Sequence, residues 1–398
     1  MTPSMKRLMI LGAGPNQLPA IQKAVDLGFY VITADYLPQN VGHRFSHQSV
    51  NCSTLDQEGI LQAAKELDID GVMTMASDVA TPTVGFVAEQ LALPGGFPSA
   101  ANILSNKASF RVFQREHGFH SPRFIVGSQL ENVAEGIATL SPPLMFKPVD
   151  TSGSRGISKV DKVDKKLNLA AFESAQEYSR SKRVCVEEFV EGVDVSGDGF
   201  LLNGRFGFAL ITQKYKNGFV VTGHSLPTTL SAEDQRRVLA EVAANCKAAG
   251  YTDGPLDFDV RVSPEHVTVL EMSPRRGNGI PMIIERGTGV DLIAATICFA
   301  LGEKVDVSKR WEDTRGCGSW IFGSEHGGIL EKIATDQEVS ATIPEIFEYV
   351  VHYQIGERVP HFIHSAANLG YVLFDCPSEM SYTQRVKKIE EALGIRVI

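Results

Sequence analysis

Between Asp194 and Leu226 the chain carries two Asn-Gly dipeptides, in LLNGRF and YKNGFV, each set between alternating apolar runs. Asn-Gly accepts the positive φ of a two-residue hairpin turn, and period-two alternation gives a strand one apolar face. This stretch is therefore expected to fold as antiparallel hairpins, which excludes an all-parallel sheet here. A further strand–turn–strand unit is expected at DFDVRVSPEHVTVLEM, residues 257–272.

The first hundred residues read differently. KRLMIL (6–11), FYVITA (29–34) and GVMTMA (71–76) look like buried strands separated by helical stretches. Strand–helix–strand repetition implies a parallel sheet with helices on its faces. The fold class is thus α/β at the start and α+β beyond it. Beyond residue 100, helices are expected near 106–117, 164–181, 231–250 and 289–302, with strands at 142–149 and 183–190.

At 398 residues the chain has room for two or three domains. A net charge of −9 disfavours a nucleic-acid groove or a basic membrane surface. Six cysteines without C-x-x-C spacing point to reduced thiols, with neither a disulfide framework nor a zinc cage. No apolar run approaches the roughly 20 residues of a membrane helix. A cytoplasmic protein with neither nucleic-acid nor membrane partners is expected.

Four groups of residues could carry chemistry. Gly12-x-Gly14 with Asp35 imitates a dinucleotide fingerprint, but Gln17 occupies the third glycine position. It is either a tight strand–helix turn or the basis of an NAD(P)-dependent oxidoreductase. FKPVDTSGSRGI, 146–157, places Lys147 before a loop containing Ser152, Gly153, Ser154, Arg155 and Gly156. Such a loop suits phosphate, yet its lysine stands on the wrong side for a P-loop. Lys107, opening a helix, is a second candidate for phosphate.

Asp257 and Glu271 flank the predicted hairpin. Oxygen ligands of this kind suit Mg²⁺. The two acids share a face only if the turn has an odd count, such as Ser263-Pro264-Glu265. A four-residue turn, Ser263 to His266, would put them on opposite faces; Asp259, on Asp257's face, is the reserve ligand. SPRRGNGIP, 273–281, then brings Arg275 and Arg276 beside the acids. An Arg fork binds phosphate or carboxylate, although either Arg could instead pair with Asp257 or Glu271.

In order, these pieces are a Lys, a second Lys ahead of a Gly/Ser loop, VEEFVEGVDVS, an acid in LDF, and LEMSPR. The set resembles the ATP-grasp superfamily over almost the whole chain. The resemblance implies a Rossmann-like domain over 1–103 and a two-lobed ATP-grasp region over 104–302. The small lobe would span about 120–190 and the larger one about 191–302, completed by a C-terminal α+β subdomain over 303–398. It also implies ATP and Mg²⁺ or Mn²⁺ as cofactors.

By the same resemblance, Lys107 and Lys147 contact ATP phosphates and residues 151–156 form the lid. Glu187, Glu188, Phe189 and Val190 form the adenine hinge, and Asp194 meets the ribose. Asp257 and Glu271 hold the metal. Arg275 is catalytic, with Lys147 and Arg155 assisting. VVTGHSLPTTL and GAGPNQLPAI look like L-amino acid ligases and carbamoyl-phosphate-synthetase-like proteins, which brings His224 near substrate. Arg276, Asn278 and Gly279 are further substrate candidates.

The activity implied is ATP-dependent joining of a small carboxylate to an amine through an acylphosphate. A ligase of a nucleotide-pathway intermediate and an idle nucleotide sensor are the alternatives. Relatives of this kind are often dimers, so a homodimer is the expectation.

Overall fold

The computed structural model describes residues 5–162, 164–277, 279–308, 314–377 and 379–398. Four strands open the chain: β1 (Arg7–Leu11), β2 (Tyr30–Asp35), β3 (Gln48–Asn51) and β4 (Gly71–Thr74). They form a parallel sheet in the order β3-β2-β1-β4. β1 is buried beyond its first residue and β4 throughout, as expected when helices cover both faces. Gly12 turns β1 toward Leu18–Asp26 with φ +97, a value that favours glycine.

A second sheet holds β5 (Phe124–Gly127), β6 (Leu144–Pro148), β7 (Ser158–Val160) and β8 (Val184–Glu188), ordered β5-β8-β6-β7. Helix Lys165–Tyr178 packs Phe172 and Ala175 against it. The helix is capped by Asp164, whose side chain accepts from Lys166 and Leu167 N–H groups.

The largest sheet has eight strands. β9 (Val193–Leu202), β10 (Arg205–Asn217) and β11 (Val220–Leu226) are the hairpins signalled by the Asn-Gly pairs. Asn203 and Gly204 have φ +52 and +74, as a primed hairpin turn requires. β12 (Gly254–Val262) and β13 (Val267–Ser273) join on one side, giving β13-β12-β9-β10-β11. On the other side β14 (Cys317–Phe322) and strands Gly370–Asp375 and Ile346–Val351 continue the same sheet. Strands from beyond residue 303 thus extend the hairpin sheet.

The sheet's two faces differ. Val195, Ile211, Phe258, Val260 and Met272 point to one face and bury against Val238, Val242 and Cys246 of helix Ala232–Ala248. Each such side chain contributes about 1.5–3 kcal/mol. Paired residues across an antiparallel sheet share a face. The opposite face therefore carries Asp194, Ser196 and Asp198 of β9, Thr212 and Lys214 of β10, and Asp257, Asp259 and Arg261 of β12. No helix among the described residues is long and apolar enough to cross a membrane.

The parallel sheet meets this polar face through Arg276. Met75 and Arg276 form a parallel bridge, and the Ala76 N–H donates to the Arg276 carbonyl at 2.9 Å. The Arg276 guanidinium and Asp198 are both 0% exposed and pair at 3.1 Å. Removing one member of such a pair strands a buried charge. We expect Arg276→Ala to lower unfolding free energy by about 3–5 kcal/mol, measured by urea titration.

Candidate functional site

The polar face floors a cleft roofed by the second sheet and the 151–156 loop. Lys107, Lys147, Glu187, Phe189, Val190, Asp194, Asp257, Glu271 and Arg275 all line it, so most of the residues singled out in the sequence converge. They come from positions as far apart as Lys107 and Arg275.

The register of β12 and β13 decides where the acids point. The turn is the four-residue one, with Val262 opposite Val267 and the Ser263 N–H donating to the His266 carbonyl. By that count alone Asp257 and Glu271 would part. A β-bulge intervenes: Val260 pairs with Val269, but Asp259 pairs with Glu271, leaving Leu270 as the extra residue. Asp257, Asp259, Glu271 and Ser273 thereby share the polar face, and all four line the cleft.

Cations meet each acid. Lys107 Nζ donates to Glu271 Oε1 at 2.8 Å and to the Thr151 carbonyl at 2.8 Å. Lys147 pairs with Glu187, whose other oxygen accepts from Arg111 Nε at 2.9 Å. Burial alone would raise the Glu187 carboxyl, but Arg111 and Lys147 hold it near about 2. Lys214 Nζ donates to Asp259 Oδ2 at 2.6 Å; against burial, it and Ser196 hold Asp259 down to about 2.

Asp257 behaves oppositely. Burial, with repulsion from Asp198, Asp259 and Asp78, pushes it up to about 8 despite Arg275. This donor set is oxygen-rich, and Asp257 is raised by its acidic neighbours, which fits a hard divalent cation. Among the described residues no three His, Cys, Asp or Glu side chains come together to hold a metal ion. The Asp257–Glu271 pair would leave other coordination positions to phosphate and water, as Mg²⁺ in nucleotide sites prefers.

Other candidates from the sequence lie elsewhere or are held by partners of their own. Arg155 does not line the cleft: its Nε donates to the Ser152 carbonyl at 3.1 Å, and its neighbours include Arg180 and Tyr178. Gly156 packs against Tyr178 instead. Glu188 accepts from Arg123 at 3.3 Å and from the Ser141 N–H at 2.8 Å, away from the cleft lining, because strand alternation turns it opposite to Glu187. Arg276 uses its guanidinium on Asp198, Thr296 and the Gly199 carbonyl and is buried among them.

His224 is likewise buried, 3.1 Å from the Thr212 hydroxyl through Nδ1; burial first and then Lys214 push it down to about 3. It does not line the cleft, and neither does Gly279, which opens helix Ile280–Thr288. Asn278 lies outside the described residues. Asp194 lines the cleft but is paired with Lys216 and, at 3.1 Å, with Arg261.

The glycine turn after β1 is closed on itself. The Asp35 carboxylate accepts from the Ala13 and Leu37 N–H groups, both at 2.9 Å, and Gln17 Oε1 accepts from the Gly14 N–H at 3.1 Å. The groups that a dinucleotide would need are consumed internally. The oxidoreductase alternative therefore loses its geometric basis.

Five participants were not anticipated: Asp78, Arg111, Lys214, Lys216 and Arg261. The two lysines were legible in principle, since Thr212, Lys214 and Lys216 alternate in TQKYKN as Asp257, Asp259 and Arg261 do in DFDVR. Asp78 carries no local signal. Its carboxylate is held by Arg275, with Nε donating at 2.7 Å.

Residues 140–283 match the family model of the ATP-grasp domain. The matched stretch runs from β6 through β13 and so includes most of the strands that build the cleft. The uncharacterised protein y4rH of Sinorhizobium fredii is 26% identical over 344 residues, covering 83% of this chain and 68% of that one. The carbamoyl phosphate synthase large chain of a Thermoanaerobacter species is 21% identical over 322 residues; the match takes in 75% of this chain but only 29% of that protein. In solved structures, an L-amino acid ligase from Bacillus licheniformis superposes with a TM-score of 0.81 at 22% identity, over 99% of this chain and 98% of the other. This likeness shows a shared fold.

The 151–156 loop is fastened. Ser154 Oγ donates to the Phe219 carbonyl at 2.7 Å, and the Ser365 N–H donates to the Gly153 carbonyl at 3.1 Å. The cleft beneath encloses about 230 Å³, less than the roughly 300–1,000 Å³ of small-molecule sites. A ligand larger than this volume requires these contacts to open. Gly153 has φ +73, and a Cβ there would lie 2.1 Å from Ser365 Oγ. Gly153→Ala is expected to release the loop, read as faster amide exchange over 151–156 with the core unchanged.

Proposed function

We propose that the chain is an ATP-dependent ligase that activates a carboxylate as an acylphosphate and joins it to an amine, releasing ADP and phosphate. Its substrates are amino-acid-like. The observation that carries this reading is the register shift at Leu270. It sets Asp257, Asp259 and Glu271 on one face, opposite Lys107 and Lys147 and beside Arg275. The ATP-grasp match and the shared fold with an L-amino acid ligase support it.

The chemistry suits the cleft. A carboxylate is inert toward amines until its oxygen carries a good leaving group. The substrate carboxylate attacks the γ-phosphorus of ATP, the bond to the β-phosphate oxygen breaks, and ADP departs. The amine then attacks the acyl carbon, the carbon–phosphate oxygen bond breaks, and phosphate leaves as the amine gives up its proton. Phosphoryl transfer of this kind depends on positioning and charge neutralisation more than on covalent help.

Asp257 and Glu271 would hold Mg²⁺, which shields the phosphate charges when bound. Lys107 and Lys147 are fixed at the cleft wall by Glu271 and Glu187, so incoming phosphate meets cations already placed. Phe189 and Val190 offer the apolar surface for the base. The fastened lid keeps water from an acylphosphate that it would hydrolyse.

Mg-ATP with amino acids singly and in pairs should release phosphate only when an acid and an amine are both present. With the acid ¹⁸O-labelled in its carboxylate, one labelled oxygen should appear in phosphate. Unlabelled phosphate, or AMP as the product, would rule out the acylphosphate. Lys147→Ala should weaken ATP binding at least about tenfold, or 1.4 kcal/mol, by calorimetry. Unchanged binding would remove Lys147 from the phosphate site.

A further inference from the structure

Asp78 reaches the cleft from outside the ATP-grasp sheets. β4 ends at Thr74, and the chain then passes through Ala76 at φ +52. A side chain is strained in that left-handed conformation, which persists where surroundings impose it. Here the Ala76 N–H is tied to the Arg276 carbonyl at 2.9 Å. Two residues later Asp78 opens a short 3-10 turn, Asp78–Ala80, and its own carbonyl accepts from Thr81 Oγ1 at 2.7 Å. The strained bend and the turn direct the carboxylate onto Arg275.

The guanidinium of Arg275 is strung between two acids. Nε and one terminal nitrogen donate to Asp78, and the other terminal nitrogen donates to Asp257. Arg275 is 9% exposed and Asp78 6%, so the contact is largely out of water, where such bonds hold orientation. Asp257 has two claims on it, from Arg275 and from the proposed metal. Asp78 has one. If Asp257 turns to the metal, Asp78 is the carboxylate that keeps Arg275 aimed.

We infer that Asp78 is a positioning residue: it fixes the Arg275 guanidinium for phosphoryl transfer and frees Asp257 for the metal. The inference rests on the ligase reading of the cleft. The competing role is a strut between the parallel sheet and the ATP-grasp domain.

Steady-state phosphate release with Mg-ATP, using the acid and amine found by the substrate screen, separates the two. Asp78→Asn keeps the shape and removes the charge. It should lower kcat by about 10- to 100-fold, as losing an orienting partner does, with KM for ATP within about threefold. Asp78→Glu should recover part of the loss. In an Arg275→Lys background, Asp78→Asn should cost less than about threefold, because a residue acting through another has nothing left to orient. An unchanged kcat, or losses that multiply in the double variant, would overturn the assignment. So would an unfolded Asn variant beside a Glu variant at wild-type rate, since that marks a strut. Wild-type protein that releases no phosphate with any acid and amine would instead remove the ligase reading, and this assignment with it.

Discussion

One extra residue in a hairpin governs the cleft. Leu270 shifts β13 by one position against β12 and so returns Glu271 to the face of Asp257 and Asp259. Side chains alternate strictly along a strand, so a slip of one exchanges the faces. Without the bulge, the four-residue turn would send Glu271 toward the apolar face, beside Phe258 and Val260. The bulge costs a local break in the ladder. It gathers three carboxylates at one end of the eight-stranded sheet, where the adjoining β9 and β10 add Ser196 and Lys214.

Like charges gathered this way must be answered, and the molecule answers most of them internally. Glu187 is clamped by Lys147 and Arg111, Glu271 by Lys107, and Asp259 by Lys214. Asp257 remains the poorly compensated group, raised by burial and by its acidic neighbours. The same lysines that quiet the acids are thereby fixed along the cleft wall. Pre-pairing of this kind limits what the pairs contribute to stability, but it removes the need to reorganise when phosphate arrives. Ion pairs at this cleft are better understood as placement than as a stability reserve.

Local patterns carried the outline of the fold. Asn203-Gly204 and Asn217-Gly218 marked both hairpins, and the early strand–helix repeats marked the parallel sheet. Much of the cleft was legible too, because Lys107, Lys147, Asp257, Glu271 and Arg275 each stand in a short motif. The bulge was not legible: turn length predicts register only when the ladder is unbroken. Asp78 was hidden for a different reason. It meets Arg275 across 197 residues, and nothing near either position signals the other. Arg276 and His224 lie in the interior, which the sequence could not show because a polar residue in a glycine-rich or strand-end stretch reads alike whether it faces ligand or interior. Burial separates those cases, and burial needs the fold.

The most direct test of the carboxylate face is nucleotide binding with and without metal. Calorimetric titration of ADP should show tight binding in Mg²⁺ that weakens strongly in excess EDTA, and Asp257→Asn and Glu271→Gln should each abolish most of the magnesium-dependent gain. Equal ADP affinity in Mg²⁺ and EDTA, or full magnesium dependence in both variants, would contradict the account.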